Sequence, residues 1–221
     1  MADFDRTKSV TRATLVAIAP VVLFAAMIWH PYIAGRLPDH HAIAEAVTDD
    51  PTRWGLAHLA AAVAAAALIL AFIAIRGVLR EAGDKAWSAI GLGLIVIGSV
   101  AYAVLPGMEF APFAAVESGA DPEAAQAALD AWFVPVLFVG AFTFAIGVLC
   151  VGVALRRYGA MNPTLGWIVV GALIVMAASR FVPFAAVQFY VQSAAALIAL
   201  WPLAWVVWTR RGHAISQSES P

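Results

Sequence analysis

The chain has 221 residues, of which 63% are hydrophobic and only 12% charged, with a net charge of −1 and a mean hydropathy of +0.87. A water-soluble domain carries about a quarter of its residues as charges, so this composition excludes an ordinary soluble enzyme and points to lipid as the main solvent. The basic residues are scattered at the ends of apolar runs, which excludes nucleic-acid binding, and the lone Cys150 excludes an intramolecular disulfide.

Six apolar segments are long enough to cross a bilayer, which takes about 20 helical residues. They run over residues 14–33, 54–75, 87–105, 132–155, 165–181 and 187–208. Their hydrophobicity is continuous rather than alternating, which predicts helices and not the strands of a membrane barrel. The expected fold is therefore an all-α integral membrane protein, a six-span bundle over residues 13–209 with tails at 1–12 and 210–221. The first apolar run, behind Arg6, Lys8 and Arg12, is too long for a typical signal peptide and is read as a retained span.

Between the first and second spans, residues 41–47 are strong helix formers, and so are residues 122–129 between the third and fourth. Asp121 before Pro122 has the pattern of an N-cap followed by proline at the first helical position. Two short helices are expected to lie over the outer end of the bundle.

The loops alternate in charge. Arg6, Lys8, Arg12, Arg76, Arg80, Lys85, Arg156, Arg157, Arg210 and Arg211 fall on one side, and only Arg36, Arg53 and Arg180 on the other. Positive loops stay inside, so the expected location is the plasma or inner membrane with both termini cytoplasmic. Trp54 and Trp132 would anchor spans at the outer interface, and Trp87, Trp167 and Trp208 at the inner one. Close helix packing is expected at Ala57, Ala60, Ala61, Ala64 and Ala65 of the second span, and at Gly140, Gly147 and Gly152 of the fourth. Whether these faces join helices within one chain or between chains leaves the oligomeric state open.

One stretch recurs. Phe110-Ala-Pro-Phe-Ala-Ala-Val116 returns as Phe181-Val-Pro-Phe-Ala-Ala-Val187, with six of seven positions identical. Each copy follows a polar stretch, a Trp, an apolar span, a basic turn and a second span, which predicts two related helical-hairpin units. In this reading proline stops each helix, and only a tight turn fits between residues 181 and 187.

No ionisable residue lies near the middle of any span, which argues against a proton- or ion-coupled transporter. The polar residues gather instead at one outer level: His30, Tyr32, His58, Tyr102, Glu109, Arg180, Gln188, Tyr190 and Gln192. His58 stands four residues into its span, about 6 Å deep at the helical rise. That layer is expected to wall an outward-facing pocket lined by the first, second, third and fifth spans, for a small apolar or amphipathic ligand. Within it, His30, His58 and Glu109 form the candidate metal set, because imidazole and carboxylate are ordinary ligands of a divalent ion such as zinc. The alternative is that each histidine bonds a loop carbonyl or water; haem held between the two is a third option. His40 and His41 read as solvated residues at the start of a short helix. Arg180 has two readings: an anion-binding group held by Glu109 or Glu117 when empty, or a side chain snorkelling to interface water.

No Walker loop, dinucleotide fingerprint, nucleophile elbow or paired-carboxylate motif is present. The first functional expectation is thus a binding, sensing or accessory membrane module rather than an enzyme. A membrane-embedded metal-dependent enzyme is the second. A neutral-solute transporter using Ser99, Thr143 and Ser179 is the third, although the repeated units share one orientation instead of the inverted one common in transporters.

Overall fold

The computed structural model describes residues 2–158 and 161–218, with only the backbone described at 2–6 and 210–218. The side chains of Arg6, Arg210 and Arg211 therefore lie outside the described residues. Six helices among the described residues are long and apolar enough to cross a membrane. Among the described residues there is no strand, only an isolated bridge between Arg36 and Phe184.

Among the described residues nine helices follow in chain order: α1 (Ala2–Trp29), α2 (His40–Asp49), α3 (Pro51–Glu81), α4 (Trp87–Met108), α5 (Phe110–Ser118), α6 (Pro122–Ala127), α7 (Asp130–Arg157), α8 (Pro163–Ala178) and α9 (Gln192–Ser218). A 3-10 turn (Ser179–Phe181) and a π-helical turn (Val187–Val191) separate α8 from α9.

Local chemistry sets the ends. The residue before a proline is pushed out of the helical region, so α1 closes at His30, whose N–H bonds Ala26 O just ahead of Pro31. The side chain of Asp50 caps α3 by accepting from Arg53 N at 2.9 Å, with Pro51 in the first turn where its missing N–H costs nothing. Gly83, at φ +101, supplies the left-handed turn after α3. Asp39 and Asp121 cap α2 and α6 in the same way, by accepting from Ala42 N, and from Glu123 N and Ala124 N.

The main core joins the long helices through Val16, Leu68, Phe72, Phe144, Leu173 and Leu200. The tightest approach is between α4 and α7, where glycines let the backbones touch: a Cβ at Gly91 would stand 2.8 Å from Gly147 O, and one at Gly98 2.7 Å from Phe144 N. Gly140 and Gly147 thus pack within the chain. Gly152 faces Val170 of α8.

The short helices α2, α5 and α6 pack together as a cap over one end of the bundle. Their inner faces meet Trp54, Ile33 and Ala185 in a second small core. Trp54 is therefore buried and not an interface anchor, whereas Trp87, Trp132, Trp167 and Trp208 remain exposed.

The two copies of the repeat take different backbones. Residues 110–116 continue as helix α5, because Pro112 falls in its first turn, where no N–H is required. The proline expected to stop a helix there does not. In the second copy the chain leaves the helix at Val182, extended before Pro183, and re-enters one at Ala185, with the π-helical turn beginning at Val187.

Candidate functional site

Beneath the cap, α3 and α7 touch little, and a cavity of about 330 Å³ lies between them. Its walls are mostly apolar, with contributions from α1, α3, α4, α6, α7, the 3-10 turn and the start of the last span. The pocket thus extends past the four expected spans to include the fourth and the sixth. His30, His58, Tyr102, Glu109, Arg180, Gln188 and Gln192 all line it. Tyr32 does not: it is 60% exposed on the loop after α1.

The two histidines converge. His30 sits at the last turn of α1 and His58 in the second turn of α3, and their Nε2 atoms are 3.4 Å apart. The other ring nitrogen of each is fixed by a backbone carbonyl, His30 Nδ1 by Pro31 O and His58 Nδ1 by Trp54 O, both at 2.7 Å. A carbonyl only accepts, so each Nδ1 carries the proton and donates it. The rings are held by neighbours as well: Trp54 lies 4.3 Å from His58 and Phe189 lies 4.6 Å from His30, centroid to centroid. The carbonyl bonding expected of ordinary interface histidines is therefore present, but it occupies only one nitrogen of each. Two axial histidines on one haem iron must stand about 4 Å apart with a macrocycle between them, and this pair is too close for that.

Glu109 does not join them. Its Oε1 accepts from Gln126 Nε2 at 3.2 Å, and its backbone carbonyl accepts from Trp54 Nε1 at 2.9 Å. Among the described residues no three His, Cys, Asp or Glu side chains come close enough to hold one metal ion. The three-residue set expected from sequence is reduced to a pair, because the bond to Gln126 takes up one carboxylate oxygen and points the group at α6.

Arg180 is 3% exposed, which removes the snorkelling alternative. Its guanidinium carbon lies 3.9 Å from the centroid of Tyr102 and 3.6 Å from that of Phe144. Guanidinium is planar and weakly hydrated, so it tolerates such stacking where an ammonium would not. Neither Glu109 nor Glu117 reaches it; among the described residues Arg180 has no ion pair. Its Nε and Nη1 are buried without a hydrogen-bond partner, as are Tyr102 Oη, Glu109 Oε2 and Gln126 Oε1. All five atoms belong to residues that line the cavity. Buried polar groups left unbonded are costly, so these five atoms are the ones a polar ligand in the cavity would bond.

Gln126, 2% exposed, was not legible as a site residue. It lies in a six-residue helix, too short for periodicity to tell an inward position from a solvated one. Phe144 and Phe189 look like ordinary span residues in a sequence this apolar. His40 and His41 stay at the surface of the cap, bonded to Asp130 Oδ1 at 3.0 Å and Glu123 Oε2 at 3.1 Å.

No family model, curated protein or solved structure matches this chain.

Proposed function

We propose that this protein is a binding or sensing module of the plasma or inner membrane whose cavity takes an amphipathic anion, a carboxylate or phosphate head on an apolar body. The observation that carries the reading is Arg180: a buried cation with two unbonded guanidinium nitrogens, Nε and Nη1, beside an apolar cavity. Charge-assisted bonds to an oxyanion are what a guanidinium does best. Tyr102 Oη lies on the same wall and supplies a further donor. A volume of about 330 Å³ suits a small ligand or a short acyl segment.

The charge bias of the loops supports cytoplasmic tails at 1–12 and 210–221, and hence a cavity at the outer end. Entry from the outer leaflet is supported by Phe138 and Phe181, which line the cavity yet are 51% and 39% exposed. Phe142 packs edge-on against Phe181, with ring centroids 5.0 Å apart. The repeat supports reading α3–α4 and α7–α8 as two copies of one hairpin. Pro106 near the end of the first, and Phe181 and Pro183 after the second, all line the cavity.

The test is thermal unfolding of the purified protein titrated with decanoate, decyl phosphate and uncharged decanol, each below its micellar concentration. The anionic compounds should stabilise wild type well beyond decanol, and Arg180→Met should abolish the difference. Equal stabilisation by all three, or by none, overturns the reading.

A further inference from the structure

We infer that His30 and His58 form a two-imidazole site for a zinc-type divalent cation, with its remaining coordination positions open to the cavity. Both Nδ1–H groups are committed to carbonyls at 2.7 Å, so both Nε2 atoms carry lone pairs. Those lone pairs face each other at 3.4 Å in a buried place. Two such acceptors repel; a cation bound by both removes the repulsion and uses both.

The spacing agrees with a specific geometry. Zinc–nitrogen bonds are about 2.0–2.1 Å, and two ligands at a tetrahedral angle then stand about 3.3–3.4 Å apart. Square or octahedral neighbours on the same bonds would be nearer, about 2.9 Å. The observed 3.4 Å separation matches the tetrahedral case. The surroundings agree too. Metal-bound histidine almost always donates its other N–H to a carbonyl or carboxylate, which fixes the tautomer and turns the ring. Both rings have that bond here, and Trp54 and Phe189 pack against them.

With two protein ligands, the other positions fall to water or to an oxygen of a cavity ligand. Such a site is loaded more weakly than a structural zinc centre with four protein ligands, and it is exchangeable. The inference does not rest on the amphipathic-anion reading, because its test uses the metal alone.

The experiment is cobalt titration of the full-length protein, purified and stripped with chelator, followed by visible absorption. One equivalent of Co²⁺ should give the intense bands of tetrahedral coordination, and Zn²⁺ should displace them. His30→Gln and His58→Gln should each weaken binding at least about tenfold, while the double variant H40A/H41A should leave it unchanged. Thermal unfolding in chelator checks that each variant is folded; if one is not, the other carries the test. Absence of stoichiometric cobalt binding by folded wild type, or bands that survive both glutamine substitutions, overturns the site.

Discussion

The guanidinium carbon of Arg180 lies 3.6 Å from the ring centroid of Phe144, a contact between a permanent cation and the apolar core of α7 that no carboxylate among the described residues neutralises. Burying a charge this way is expensive, and replacing it with an apolar side chain of similar volume is often neutral or stabilising. Arg180→Met should therefore keep or raise the unfolding temperature of the ligand-free protein. The same change removes charge-assisted bonds to an anion worth about 1.5–3 kcal/mol, so binding of decanoate should fall roughly ten- to hundredfold. A gain in stability together with a loss of binding separates a ligand-binding arginine from one that holds the fold. A large fall in unfolding temperature would show the reverse.

The glycines of α4 divide sharply by what a methyl group would meet. At Gly98 a Cβ would stand 2.7 Å from Phe144 N and 2.8 Å from Gly140 O, both rigid backbone atoms. At Gly93 it would meet nothing within 4 Å. Gly98→Ala should destabilise by about 1–3 kcal/mol, as overpacking does, and Gly147→Ala should behave alike, its Cβ being 2.7 Å from Gly91 O. Gly93→Ala should be neutral or slightly stabilising, since alanine is the better helix former. Parallel thermal unfolding of the three variants checks the order.

The six spans were legible because long apolar runs in lipid leave the helix as the economical backbone state. That His30 and His58 stand at one level was legible as well, from helical rise alone. What could not be read was rotation about each helix axis. These helices are apolar on every side, so the sequence carries no amphipathic signal to say that His30 and His58 face each other while Glu109 turns to Gln126. The repeat shows the same limit from another angle. Seven nearly identical residues become helix after Glu109 but a break after Arg180. There the 3-10 turn accompanies a side chain held between Tyr102 and Phe144, from two other helices. Tertiary contact decided what local sequence left open.

Asp84, in the turn between α3 and α4, accepts from Trp87 N at 3.1 Å and from Ser88 N at 2.6 Å, bonding two donors of the first turn of α4. Burial alone would raise its pKa, but the hydrogen bonds from Ser88, Trp87 and Ala86 outweigh that and lower it below the usual 3.8. A carboxylate with a depressed folded-state pKa contributes stability above its unfolded pKa and loses it as pH falls through the folded value. Asp84→Ala should cost about 1–2 kcal/mol at neutral pH. The difference from wild type should hold from pH 7 down to about pH 5 and shrink below about pH 4. Unfolding midpoints of both proteins across this range check it; a difference independent of pH would mean that the charge is not involved.

His41 joins α2 to α6 through Glu123, 3.1 Å away, and so helps hold the cap that roofs the cavity. The hydrogen bond that His41 donates to Glu123, and then the charge of Glu123, raise the His41 pKa above 6.5; desolvation opposes them, and Glu45 and Asp39 add smaller support. A histidine with a raised folded-state pKa contributes stability that is fully present below its unfolded value, about 6.5, and lost as pH rises through the folded one. The α2–α6 contact should therefore be firmer at pH 5.5 than at pH 8. Because His41 is exposed, the change will show as local opening and not as global unfolding. Amide exchange in α2, corrected for intrinsic rates, should speed up across that interval in wild type. In Glu123→Gln it should already be fast at pH 5.5 and change little. Exchange in α2 that is insensitive to both pH and this substitution would place the hold on the cap elsewhere, at His40 with Asp130 or in the packing of Ile43 and Val47 on Trp54.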